Sequence, residues 1–276
     1  MVSLELEARL DNLLATAQKE TADIDLFAPI PDKNECPMCM IPLLPADKDT
    51  TFMYCCGKCV CNGCVYKYLF TMMENGVKRR DELGKCAFCR QTAPNNLVKA
   101  LKKLMKKNIP RAFAKMADKY EQGDDGMIQS NTKALEMYIC AAELGNAKSY
   151  GCIGWYYYEG IVVEPDISKY LEFTEVAAKK GSYAAHLVLA GYHDNAGSVQ
   201  WSNEHLKVVA SAGDQNSMDD LMKAYKNKEI SKEELTQTLR AFQASRDKLK
   251  SNDRENARLL EESREKGVAP PAHLFK

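Results

Sequence analysis

Nine of the eleven cysteines fall in the 54 residues from Cys36 to Cys89, and no other feature narrows so far what the chain can fold into. Six form C-x-x-C pairs: Cys36/Cys39, Cys61/Cys64 and Cys86/Cys89. The other three sit together in Cys55-Cys56-Gly57-Lys58-Cys59. A C-x-x-C turn brings two sulfurs onto one ion, and a structural zinc takes four such ligands in a tetrahedron. Two zinc ions need eight thiolates and nine are present, so one is spare or the fourth pair is irregular. A thioredoxin-like redox centre expects one C-x-x-C in a strand–helix setting, not three in order. A disulfide framework expects secretion. A catalytic zinc keeps an open position and usually uses histidine, but His186, His193, His205 and His273 all lie far along the chain from the cysteines. His186 and His193, seven residues apart, read as helix-surface residues.

The first 25 residues carry acids early and lack an unbroken apolar core, so no secretory signal is expected. No run of 18 apolar residues occurs, so no membrane span is expected. Lysine plus arginine balances aspartate plus glutamate at 38 each, which gives no overall attraction to nucleic acid or to an acidic membrane. The expected setting is therefore cytoplasmic, where thiols stay reduced. Nuclear residence stays open, although no strong basic import cluster occurs.

Residues 3–19 predict an amphipathic helix, with Leu6, Leu10, Leu13, Leu14 and Ala17 at helical spacing. Such a helix recruits a partner or, more ordinarily, packs on its own protein. Pro29 and Pro31 end this first segment, residues 1–31. Residues 32–94 hold the cysteines, with a short helix expected from Cys64 and an exit at Pro94. Residues 95–109 predict a basic linker helix with Leu97, Leu101 and Leu104 inward and its lysines in water.

From residue 110 to about 250 the chain repeats itself. Gly123, Gly160 and Gly197 are each 37 apart, and Tyr120 with Tyr157 and Gly154 with Gly191 share that spacing. Ala141-Ala142 with Gly145 recurs as Ala177-Ala178 with Gly181, and more weakly as Val209-Ala210 with Gly213; these glycines are 36 and then 32 apart. The pattern predicts a helix pair per unit. Helix A carries Ala147, Gly151 and Gly154, small enough to admit a close neighbour. Helix B ends in the alanine pair and a left-handed glycine, and Pro165-Asp166 starts the second helix B. One pair cannot bury its apolar face alone, so the pairs must stack. Ser231 and Glu234 form a capping box before a long charged helix with Leu235, Leu239, Phe242 and Leu249 on one face, either a final cap or a dimerising coil. Residues 251–276 are expected to be its charged end and a flexible tail.

The order C-x-M-C, about 15 residues, the Cys55–Cys59 cluster, C-x-x-C, a helix and C-x-F-C-R resembles a RING finger over residues 36–90. The 37-residue units resemble Sel-1-like repeats, relatives of tetratricopeptide arrays. Together the resemblances imply a small zinc-stabilised RING-like α+β domain followed by an all-α helical-repeat (α-solenoid) domain. In the RING family the first and third ligand pairs share one zinc, and the second and fourth share the other. That implies Cys36, Cys39, Cys61 and Cys64 on one ion, and Cys86, Cys89, Cys56 and one further residue on the second. The family usually has histidine where Lys58 stands, and an ammonium cannot bind zinc. Cys55 or Cys59 must replace it; we assign Cys55 and leave Cys59 open.

RING domains commonly serve as ubiquitin ligases, which catalyse by orienting a charged ubiquitin-conjugating enzyme rather than by covalent chemistry. The resemblance carries three of their contact positions onto this chain: Met38, Tyr68 and Arg90. Ala87 stands where the family usually has proline. It implies a ligase that docks a conjugating enzyme through the zinc domain and recruits substrates or partners through the repeats. The alternative is a non-catalytic, zinc-dependent adaptor or scaffold, which the absent histidine and Ala87 favour. Trp155 with Tyr156, Tyr157 and Tyr158 either anchors a partner or fills the repeat core.

Overall fold

The computed structural model describes residues 4–31, 35–43, 50–75 and 84–269. In chain order its elements are α1 (Leu4–Glu20), β1 (Thr50–Phe52), β2 (Cys59–Cys61), α2 (Asn62–Glu74), α3 (Leu97–Met105), α4 (Pro110–Gln122), α5 (Asn131–Glu143), α6 (Ala147–Glu159), α7 (Ile167–Lys179), α8 (Tyr183–Asn195), α9 (Val199–Ser211), α10 (Gln215–Lys226), α11 (Lys232–Leu249) and α12 (Asn252–Glu265). They divide into two compact units: Met1–Pro31 with Asn96–Gln243, and Asp32–Asn95 with Ala244–Lys276. Among the described residues no helix is long and apolar enough to cross a membrane.

The first unit is a helical-repeat array in which α4/α5, α6/α7 and α8/α9 pack as pairs and each pair packs on the next. Three-residue connectors set its geometry. Gly145, Gly181 and Gly213 take φ of 87°, 90° and 102°, open to glycine at little cost. Their N–H groups donate to the carbonyls of Ala142, Ala178 and Ala210, each at 2.8 Å. The next N–H, of Asn146 or Ser182, donates to the other member of the alanine pair, Ala141 or Ala177. The same residues then cap the following helix. The Asn146, Ser182 and Asp214 side chains accept from the N–H of Ser149, Ala185 and Ser217. One glycine and one short polar residue thus end helix B and start the next helix A. The drop in glycine spacing from 36 to 32 is made within the third pair. Its inner loop, 196–198, is four residues shorter than 160–166 in the second.

The small residues of α6 sit where the sequence places a close neighbour. A Cβ on Gly154 would lie 3.0 Å from both Thr174 Oγ1 and the Tyr170 carbonyl of α7, whereas one on Gly151 would meet only Ala177 Cβ, at 3.9 Å. Tyr157 stacks on Phe173 at 5.7 Å between the same helices. Of the four consecutive aromatics, Tyr156 and Tyr157 are buried while Trp155 and Tyr158 are exposed. Pro165 lies two residues before α7, ahead of its cap and not in its first turn. Asp166 is the cap, accepting from the Lys169 N–H at 3.0 Å, and Pro165 packs against Gly160.

Helix α1 packs on this unit, against α5 and α7, burying Leu6, Leu10, Leu13, Leu14 and Ala17. Arg9–Glu143, Asp11–Lys169 and Glu20–Lys180 flank the seam. Each pair keeps its carboxylate exposed to water, so such pairs contribute about 1 kcal/mol or less each, and apolar burial holds the helix. In α3, Ala100, Leu101 and Leu104 are buried, Leu97 is half-buried and the lysines are exposed. Ser231 and Glu234 exchange the two bonds of a capping box. Leu235 and Phe242 of α11 pack on Met218, Leu221 and Ile230, while Leu239 is exposed, so α11 caps the array.

The histidines differ from the sequence reading. His186 is not on a helix surface: it and His205 are both 1% exposed, with their Nδ1 atoms 3.1 Å apart. His193 lies parallel to His205 at 5.7 Å, and Phe27 packs on His205 and Trp201. His186 on helix A and His205 on helix B meet through pairing that the sequence spacing alone does not reveal. Burial holds His186 down at about 4 and, with repulsion from its two neighbours, His205 at about 3.

Two outcomes follow from this packing. Gly151→Ala should raise the melting temperature, since alanine gains up to about 1 kcal/mol of helix propensity over glycine. Gly154→Leu should lower it through about 1–3 kcal/mol of overpacking. Equal shifts would contradict the close approach at Gly154. The imidazole pair is neutral when folded but takes up protons when unfolded below about pH 6.5. Its contribution to stability is therefore full above that pH and declines as pH falls towards about 4. His205→Asn should flatten that part of a melting-temperature profile.

Candidate metal centre

The second unit brings eight thiols into two groups of four. Cys36, Cys39, Cys61 and Cys64 form one and Cys55, Cys56, Cys86 and Cys89 the other, with the sulfurs of each within 4.8 Å of one another. The groups alternate along the chain, so each is closed by residues that straddle part of the other. All these cysteines are free of disulfides. Within the groups, sulfur–sulfur separations are 3.8 Å for Cys36–Cys64 and Cys39–Cys61, 4.0 Å for Cys56–Cys86 and 3.4 Å for Cys55–Cys89. A tetrahedron with metal–sulfur bonds of about 2.3 Å has edges of about 3.8 Å. The donor sets therefore fit one ion each, and the distances are compatible with zinc.

Local backbone geometry makes these groups. In the first turn the Cys36 N–H donates to the Ile41 carbonyl and the Met40 N–H to the Cys36 carbonyl, with Met40 at φ 58°. The turn at Cys86 repeats this: Cys86 to Gln91, Arg90 to Cys86, and Arg90 at φ 62°. A third copy starts at Met53, whose N–H donates to the Lys58 carbonyl, with Gly57 in the left-handed position at φ 74°. Here Met53 occupies the place of the first cysteine and Cys56 that of the second. This explains the irregular fourth pair: Cys55 joins the group from inside the turn. Cys59 belongs to neither group; it begins β2, opposite Phe52 of β1. Lys58 contributes backbone rather than its ammonium, its N–H pointing at the Cys56 sulfur.

Cys61 is at once a member of the first group and the cap of α2, its sulfur accepting from the Cys64 N–H at 3.4 Å. The Cys61 N–H in turn points at the Cys36 sulfur. Burial raises the Cys36 thiol, but the N–H groups of Cys61, Cys39 and Met38 outweigh it and hold it at about 7. Burial pushes Cys56 up to about 11. It raises Cys55 and Cys64 further, aided by neighbouring sulfurs. Thiols this crowded cannot all ionise unless a cation joins them. The buried cluster here consists of Cys36, Val60, Cys61 and Cys64, with Cys39, Leu43, Met53 and Val65 half-buried against it.

The three contact positions carried over from the RING resemblance fare differently. Met38 is 37% exposed on the first turn. Arg90 is exposed, and its guanidinium lies 4.5 Å above the Tyr68 ring. Tyr68 is buried at 7% exposure beneath it, with its hydroxyl lacking a hydrogen-bond partner among the described residues. Helix α2 turns the Tyr68 ring inward. Phe88, between the last two cysteines, is 39% exposed.

An element the sequence reading did not place here also shapes the unit. The chain breaks after α11 and restarts at Ser251 as α12, which packs along α2. This replaces the expected helix end within residues 251–276; positions beyond 269 lie outside the described residues. Asp253 pairs with Lys67 at 3.0 Å. Arg254 donates to the carbonyls of Pro42 and Ile41 at 2.8 and 3.2 Å, with Nη2 3.9 Å from the Cys39 sulfur. One signal was readable in principle: Gly63 sits between two cysteine ligands at a point where only glycine lets α12 approach.

Elemental analysis tests the assignment of the irregular pair. Cys55→Ser should lose about one of two bound ions, and Cys59→Ser should keep both. The reverse would exchange their roles.

No family model matches the chain, and no curated protein matches it. Among solved structures it is similar to a Sel1 repeat protein from Oxalobacter formigenes, with 22% identity over 65% of this chain and 72% of that one and a TM-score of 0.45. It is also similar to a protective antigen of uropathogenic Escherichia coli with an SLR fold, with 19% identity over 76% of this chain and 43% of that one and a TM-score of 0.41.

Proposed function

We propose that the protein is a zinc-dependent scaffold for protein–protein interaction, in which a RING-like module and a Sel-1-like helical array each present a surface. The observation that carries this reading is the alternation of two all-cysteine groups along one short stretch of chain. Four thiolates per ion favour zinc and close its coordination sphere, which suits a structural site rather than a hydrolytic one. The array supplies extended area, and its exposed Trp155 and Tyr158, stacked at 5.2 Å, are of the kind that anchors partners. All-thiolate sites persist where thiols stay reduced, which supports a cytoplasmic or nuclear setting.

A second reading, a RING-type ligase that docks a ubiquitin-conjugating enzyme, draws on Met38 and Phe88. Each is an exposed apolar residue on one of the two cysteine turns. The inward Tyr68 weighs against it.

One set of variants separates the two. Trp155→Ala/Tyr158→Ala protein should keep its zinc and lose partners that the wild type captures in proximity labelling. An unchanged partner set would sink the scaffold reading at that surface. In parallel, the wild type is mixed with a panel of ubiquitin-charged conjugating enzymes. The scaffold reading expects no accelerated discharge. Discharge that Met38→Ala/Arg90→Ala abolishes, with zinc retained, would establish the ligase instead.

A further inference from the structure

We propose that Arg254 of α12 is a positioning residue of the first cysteine group, so that a helix some 190 residues further along the chain completes that metal site. The inference rests on the metal reading above and adds a residue that no cysteine pattern contains.

The geometry is that of a clamp. The Arg254 guanidinium spans the turn that carries Cys39. It donates from Nη1 to the Pro42 carbonyl and from Nη2 to the Ile41 carbonyl, and places Nη2 3.9 Å from the Cys39 sulfur. Those carbonyls belong to the segment that closes the turn, where Ile41 accepts from Cys36 and Pro42 bridges to Glu35. One side chain therefore holds the closing segment of the loop and places a cation against a ligand. Its Nε is buried without a hydrogen-bond partner among the described residues, a costly arrangement for an arginine. Four thiolates around a divalent ion carry two net negative charges, and a guanidinium alongside offsets them as a hydrogen-bonding partner to a ligand does.

The placement is built in. A Cβ on Gly63 would fall 2.7 to 2.8 Å from the Arg254 backbone and Cγ, so the first turns of α2 and α12 meet at a glycine between Cys61 and Cys64. The neighbouring Lys67–Asp253 pair is exposed on the lysine side and supplies little hold of its own.

The test uses the full chain with Cys55→Ser, which leaves the first group as the loaded site, and follows zinc transfer to a chromogenic chelator. Arg254→Ala should speed release about 10- to 100-fold, the range for lost partners of metal ligands. Arg254→Lys should fall between, since it restores charge without the fork. Gly63→Val, which keeps Arg254 but displaces its helix, should speed release likewise, and Lys67→Ala should not. With cobalt in the site, Arg254→Ala should move the sulfur-to-metal charge-transfer band to lower energy, because a cation near Cys39 stabilises its electrons. A merely structural contact would leave the band of the loaded protein in place. Unchanged release and an unmoved band in protein that binds two ions without the Cys55 change would overturn this inference alone. Wild-type protein without metal at the first group would overturn the metal reading and this inference with it.

Discussion

The second unit depends on sulfur atoms from four separate points of the chain meeting in pairs of pairs. Its buried cluster is three cysteines and one valine, far too little apolar surface to offset the entropy of ordering such a loop-rich segment. A structural zinc site contributes on the order of 10–16 kcal/mol, comparable to the whole net stability of about 5–15 kcal/mol of an ordinary domain. Because the two groups alternate along the sequence, neither can close without constraining the other. Each cysteine turn is a hydrogen-bonded loop, so ions held by the two groups would fix a framework rather than a flexible bag of ligands.

The first unit is held together by different physics. Each connector spends one left-handed glycine and one short polar side chain to satisfy the last carbonyls of one helix and the first N–H groups of the next. Glycine and alanine at the contacts let backbones approach closely enough for Tyr157 and Phe173 to stack between helices. The N-terminal helix adds apolar cover along α5 and α7. Among the described residues both groups of four candidate ligands lie in the second unit, so the two units should respond differently to a chelator.

Much of this architecture was readable from periodicity. The alanine pairs with their glycines and the leucine stripe of α1 each state a local rule that the fold obeys. The missing histidine at Lys58 raised the right question, but the answer needed backbone geometry: Met53 fills a cysteine's place in a turn whose hydrogen bonds match the other two. Left-handed Met40 and Arg90 could not be foreseen, since neither residue favours φ near 60° on its own. His186 and His205 meet only because two helices pack at that level. Arg254 was hidden for the same reason: in sequence it is one charge among many in a charged segment, and its meaning comes from long-range packing against Gly63.

Native mass spectrometry of the purified chain, compared with the same sample denatured in acid, addresses the central claim most directly. The account predicts that the folded protein is heavier by two zinc ions, less the protons their thiolates give up, and that the denatured mass shows every cysteine reduced. Equal masses, or a denatured mass short by the hydrogens of disulfide bonds, would contradict it.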